Sequence, residues 1–202
     1  MQPAKRWSGP ARRTALPRDK KEPPEPFAVA LRLLARRPYS VAELRRALER
    51  RFPENPAVAA AIARLRELRY LDDKKFAAQY ASSLARNKSF GRYRVRRELK
   101  AKLVNYKFIE PALDQAYEET DERQLLRRVL DKKVRLLRLP VTPAKLASLC
   151  QSLLRHGFRA DDIMKAVRAR PELKPIAADV DLTEISTATE ESWPQSHKDT
   201  ED

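Results

Sequence analysis

The run from Tyr70 to Leu103, YLDDKKFAAQYASSLARNKSFGRYRVRRELKAKL, decides the fold. The carboxylate of Asp72 suits a helix start, because it can accept from the orphan N–H groups of a first turn. Asp73 adds negative charge where the helix dipole favours it. Phe76, Tyr80 and Leu84 then recur every four residues as one apolar stripe. Gly91 interrupts the pattern, and Val95, Leu99 and Leu103 restart it with the same period. The faces left over carry Arg86, Lys88, Arg92, Arg94, Arg96, Arg97, Lys100 and Lys102. The stretch therefore predicts two helices around a glycine-marked break, apolar on one side and cationic on the other.

The same plan extends outward in both directions. Upstream, Leu31, Leu34 and Ala35 predict a helix that ends before Pro38, since the residue preceding proline avoids the α region. Ser40 to Glu43 reads as a capping box, followed by a stripe of Leu44, Leu48 and Phe52. Asn55-Pro56 opens a third helix with Ile62, Leu65 and Leu68 inward. Downstream, a helix is expected around Lys107 to Tyr117, and another from Thr120 through Leu125, Val129 and Leu136. Thr142-Pro143 caps the next, with Leu146, Leu149, Cys150 and Leu154 on its face. Gly157 ends it, and Asp161-Asp162 open a last helix carrying Ile163 and Val167.

Three of these helices align without gaps at a spacing of 51 residues. Ser40, Gly91 and Thr142 mark their starts. Leu44, Val95 and Leu146 follow, then Leu48, Leu99 and Cys150, then Phe52, Leu103 and Leu154. Agreement at four positions in three copies exceeds what helical periodicity alone supplies. The fold class expected is all-α, an elongated tandem array of three three-helix repeats, each covering its neighbour's apolar face. The repeats span residues 27–71, 72–118 and 119–170. They lie between a disordered basic arm (1–26), whose one odd residue is Trp7, and an acidic disordered tail (171–202).

Composition narrows the function. Long Val/Ile/Thr alternations are absent, and three glycines with abundant Arg, Leu, Ala, Glu and Lys favour helix. The net charge of +15 resolves into +4 on the arm, −7 on the tail and +18 on the helical middle. Such a field attracts polyanions without specifying a sequence. A single cysteine, Cys150, excludes an internal disulfide and reads as a small buried residue. No apolar run is long enough to span a bilayer, and the basic N-terminus lacks the apolar core of a signal peptide. The compartment expected is the cytoplasm.

No arrangement of residues suits catalysis. His156 and His197 are far apart, no paired-ligand spacing for a metal occurs, and the glycines are isolated rather than gathered into a phosphate loop. Asp72-Asp73 and Asp161-Asp162 are explained as caps. The reading is a protein without catalytic, cofactor or metal residues, one that binds. From Arg86 to Lys107, cations outnumber the single acid Glu98, and Arg92, Arg96 and Lys100 share one face. Tyr93 and Tyr106 among them could stack on bases. Arg127, Arg128, Lys132, Lys133 and Arg135 form a second strip, whereas Arg45, Arg46, Arg50 and Arg51 are offset by Glu43 and Glu49.

In order and spacing, the motifs resemble the RecX family of RecA regulators. They are AL-x-LL-x-R with S-x-x-EL-x-x-x-L (Ala30 to Leu48), YLDD-x-x-FA (Tyr70 to Ala77) and G-x-x-x-V-x-x-EL-x-x-K (Gly91 to Lys102). I-x-x-AL (Ile109 to Leu113) and L-x-x-x-GF-x-x-DDI (Leu153 to Ile163) follow, so the resemblance covers Phe27 to about Arg170. Departures are Arg69 and Leu103, where the family favours glycine at helix ends, and an arginine replaced near Ser83 or Leu84. The resemblance implies a non-enzymatic regulator that binds RecA and lies in the groove of its filament on single-stranded DNA; the chain itself is expected to be a monomer, without a membrane partner. It would hinder ATP turnover, strand exchange and filament extension in recombination, repair and the SOS response. The residues expected to face filament or DNA are Arg86, Lys88, Arg92, Arg94, Arg96, Arg97, Lys100, Lys102, Arg127, Arg128, Lys132 and Lys133. Composition alone leaves open a DNA-binding module that acts without RecA, or a helical adaptor for another protein.

Overall fold

A computed structural model describes residues 25–137 and 140–177, so Trp7, the basic arm up to residue 24 and most of the acidic tail lie outside the described residues, while Pro26, placed in the arm, begins the first helix. Among the described residues the chain forms nine helices and no strand. They are α1 (Pro26–Leu34), α2 (Val41–Glu49), α3 (Ala57–Glu67), α4 (Asp73–Lys88), α5 (Arg92–Ala101), α6 (Tyr106–Glu118), α7 (Glu122–Val134), α8 (Pro143–Arg155) and α9 (Ala160–Arg168). All extensively packed helix pairs fall within α1–α3, α4–α6 or α7–α9. Each of these three units has its own core. Leu44, Leu48, Ile62 and Leu65 anchor the first, Val95, Leu99, Ile109 and Leu113 the second, and Leu130, Leu146, Leu153 and Ile163 the third.

Local chemistry sets where the helices start. Ser40 accepts from the Glu43 N–H at 3.1 Å, Asp72 from Lys75 at 3.0 Å, Asn105 from Lys107 at 3.1 Å and Thr142 from Lys145 at 3.4 Å. Helix α7 starts one residue later than Thr120 suggests, because Asp121 takes the cap and accepts from Arg123 at 2.8 Å. Asp161 and Asp162 do not cap α9; they sit inside its first turn, where the dipole alone favours them. The second helices of the units have Ser40, Gly91 and Thr142 as N-caps, which is the register of the 51-residue repeat.

Three helix ends share one exit. The N–H groups of Tyr70, Val104 and Phe158 each return to a carbonyl five residues back, on Leu65, Leu99 and Leu153. Those of Arg69, Leu103 and Gly157 return three residues back. This is the Schellman closure, and it forces the left-handed region at its turn residue. Gly157 takes it freely with φ 92°, whereas Arg69 (58°) and Leu103 (56°) take it with a Cβ present. The caps missing their glycine are thus formed all the same.

Several apolar positions differ from the sequence pattern. On α4 the fully buried ridge is Ala77, Ala81 and Ala85, with Phe76 beside it. Tyr80 and Leu84 pack only partly against that core. The small ridge lets α4 lie close on Ala112 and Ala116 of α6. In α1 Val29 and Ala30 are buried and Leu31 is 36% exposed. Leu68, at the C-cap of α3, and Leu136, beyond the end of α7, are 51% and 76% exposed because the helices stop before them. The third core also runs past Arg170: Leu173 and Ala177 are buried in it, so the segment placed in the tail begins as part of the last unit.

Candidate functional site

The twelve basic residues singled out by the sequence separate into two sets. In the first, the cation is committed to a neighbour. Arg96 forms a two-pronged bond with Glu110 of α6, at 2.7 Å through both Nε and Nη2. This bond raises the Arg96 guanidinium and holds the Glu110 carboxyl below the usual carboxylate range. Arg92 pairs with Asp114 on the same helix, and its guanidinium lies 5.9 Å from the centre of the Tyr117 ring. Arg86 pairs with Glu119 at the end of α6. Arg94 stacks 3.7 Å over the Phe90 ring and donates to the Arg155 carbonyl at 3.3 Å. Lys102 meets Glu43 of the first unit at 3.1 Å, and Lys133 donates to the Ser152 hydroxyl at 2.8 Å. The α5 row, whose one acid in the linear sequence is Glu98, pairs Arg94 with it and finds two more acids on α6, across a helix pair.

The second set is open. Lys88, Arg97, Arg127, Arg128 and Lys132 are exposed and form no ion pair with the described residues. Lys100 belongs with the first set although it is exposed; it lies in the field of Glu110 and Arg96, and partial burial together with Arg96 holds its ammonium below the usual range. On α7 the open cations share the solvent face with Arg123 and Arg135, while the acid among them, Asp131, is taken by Arg170.

A further group belongs with the open set. Arg45, Arg46, Arg50 and Arg51 on and after α2 are exposed and without ion pairs among the described residues. Glu43 does not offset them, because it accepts from Arg37 at 2.9 and 3.0 Å and from Lys102 at 3.1 Å. Burial alone would raise the Glu43 carboxyl, but these two cations hold it below the usual range. A sequence window shows Glu43 close to Arg45 and Arg46; only the folded chain shows that its carboxylate is held by Arg37 and Lys102 instead.

The aromatics divide in the same manner. Tyr106 is 77% exposed at the start of α6, and Tyr93 is 41% exposed with Arg96 over its ring at 5.6 Å. Tyr117, which no sequence pattern marks, packs against the cores of both the second and third units and donates to the Phe90 carbonyl at 2.7 Å. Its amphipathic ring suits such a seam. Among the described residues no group of three His, Cys, Asp or Glu side chains could hold a metal ion, and no helix is long and apolar enough to cross a membrane. Cys150 is fully buried, which pushes its thiol up to about 11.

Comparisons with known proteins place this architecture. A family model described as RecX, first three-helix domain, matches residues 27–65, and one described as RecX, second three-helix domain, matches residues 72–113. The regulatory protein RecX of Chlorobaculum tepidum is 36% identical over 140 residues, 69% of this chain and 84% of that protein. The regulatory protein RecX of Stenotrophomonas maltophilia is 34% identical over 150 residues, covering 73% and 88%. The crystal structure of RecX from Lactobacillus salivarius superposes with a TM-score of 0.61 at 20% identity, covering 71% of this chain and 93% of that one, and shows the shared fold.

Proposed function

This chain belongs to the RecX family, and on that basis we propose that it is a non-enzymatic regulator of the RecA recombinase. In this reading it binds RecA and lies in the helical groove of the RecA filament on single-stranded DNA. Bound there it bridges protomers and opposes the rearrangements needed for ATP turnover, strand exchange and filament extension. The observation that carries the reading is the open set of cations: α2 and α7 each turn a row of arginines without ion pairs among the described residues outward from the array. An array with rows of fixed charge suits a repetitive polyanionic groove better than a compact ligand. The paired cations (Arg86, Arg92, Arg94, Arg96, Lys102 and Lys133) then act mainly by holding helices in place, with their outer faces adding to the positive field.

A second reading, a DNA-binding module that acts without RecA, draws on the same open cations. Salt separates the two. Phosphate contacts weaken steeply with ionic strength, while a protein–protein surface persists. At a salt concentration that abolishes binding to bare single-stranded DNA, the chain should still bind preformed RecA filaments; loss of both together favours the second reading. Replacing Arg127, Arg128 and Lys132 with glutamate should weaken filament binding with helix content and melting temperature unchanged. It should also lower the salt slope by about one for each phosphate that the variant no longer touches. Filament affinity equal to that of the unmodified chain would remove α7 from the interface.

A further inference from the structure

The two joints between units are built to one plan at equivalent positions of the repeat. At the first, the N-cap hydroxyl of Ser40 on the second helix of unit one donates to the carbonyl of Lys102, the C-cap of the second helix of unit two. At the second, the N–H of the N-cap Gly91 donates to the carbonyl of His156, the C-cap of the second helix of unit three, at 2.8 Å. The next residue repeats the match. The Val41 N–H donates to the carboxylate of Asp73 at 2.8 Å, and the Arg92 N–H to that of Glu122 at 2.7 Å. Asp73 and Glu122 are each the first residue of the following unit's first helix. Different groups, hydroxyl or backbone, Asp or Glu, thus perform one pair of contacts twice.

Space at the joints is used to the limit. A Cβ on Gly91 would lie 2.3 Å from the Gly157 carbonyl oxygen, and a Cβ on Gly157 would lie 2.3 Å from the Arg94 nitrogen. Gly91 has an ordinary φ of −78°, so it is required for closeness rather than for backbone freedom. Ser40 is a polar residue buried to 0% exposure, and its hydroxyl both donates across the joint and accepts within its own helix. The third copy of the motif offers an internal contrast. There the residues are Thr142 and Pro143, both exposed, and proline has no N–H to give. No further helical unit follows among the described residues, and the joint donor is missing at that position.

We propose that Asp73 and Glu122 are positioning residues that fix the angle between successive units, so that the array has a set pitch rather than three loosely tethered bundles. The N-cap to C-cap bond aligns consecutive second helices, and the carboxylate bond stops rotation about that contact. The pitch in turn sets the distance between the open cations of α2 and those of α7. That last consequence for the partner rests on the filament reading above; the rigidity does not.

The test reads the joint without any partner. Dyes or spin labels placed through Ala59→Cys and Ser148→Cys, both exposed positions in units one and three, report one distance distribution. The buried Cys150 stays in place and unlabelled. The chain with both acids should give a narrow distribution. Asp73→Ala with Glu122→Ala should broaden it while helix content holds. Asp73→Asn with Glu122→Gln, which keep an accepting oxygen, should restore the narrow form. A distribution already broad in the parent chain, or one unchanged by the alanine pair, overturns the proposal. In filament binding the alanine pair should weaken affinity roughly fivefold to tenfold, the scale of two missing hydrogen bonds at the low end of their net worth, and the Asn/Gln pair should recover it. Broadening with affinity unchanged would leave the joint standing and count against the filament reading instead.

Discussion

Arg69 and Leu103 hold their backbones in the left-handed region at φ 58° and 56° because the Schellman closures after α3 and α5 require it. A side chain in that region costs about 1–2 kcal/mol, while glycine at the same place costs about 0.5–1 kcal/mol of extra chain entropy. Arg69 is exposed, so little packing offsets the strain there, whereas Leu103, at 38% exposure, has most of its side chain covered. Arg69→Gly should therefore stabilise the protein by about 0.5–1 kcal/mol, read as a rise in the urea or thermal midpoint, and Leu103→Gly, which also gives up packing, should gain less. A fall at either position would mean that the side chain makes contacts worth more than the strain. Gly157 is the opposite case. Its φ of 92° and its approach to Arg94 leave no room for a Cβ, so the residue serves the turn and the joint together.

At the scale of the elements, α4 and α6 pack through small residues that share one core, Ala77 and Ala81 with Ala112 and Ala116. Enlarging the ridge should overpack it. Ala81→Leu is expected to cost about 1–3 kcal/mol in a denaturant titration, whereas Tyr80→Ala, at the half-buried margin, should cost less. Equal costs would place the ridge back on the aromatic side. The contrast shows what the linear chain discloses. Helix class, the N-caps at Ser40, Asp72 and Thr142 and the 51-residue register are legible in it, since capping chemistry and period are local. The rotation of the α4 ridge is not, because alanine carries little weight beside Phe76, Tyr80 and Leu84 in a pattern of large residues. The pairing of Arg92 and Arg96 with Asp114 and Glu110 is equally hidden, since those acids lie on a different helix. The open α7 strip is legible because its surroundings stay solvent on folding.

At the scale of the whole molecule, the described residues form an array of three cores joined by polar contacts and by the ring of Tyr117, and each level serves the next. Apolar stripes close each unit, and internal ion pairs of the second unit orient its helices. Partly buried hydrogen bonds at Ser40–Lys102 and Gly91–His156 then tie one unit to its neighbour. The outer faces of α2 and α7 keep charge that no described residue pairs, and on the proposed reading that is the part a partner meets. On the reading proposed here the partner is the RecA filament, and binding restrains it. DNA-dependent ATP hydrolysis by RecA from the same source, titrated with this chain at moderate salt, reads that restraint at its source. Inhibition is expected at well below one chain per RecA protomer, with the single-stranded DNA still coated by RecA. No inhibition until the chain saturates the DNA itself would contradict the filament reading and assign the open cations to DNA alone.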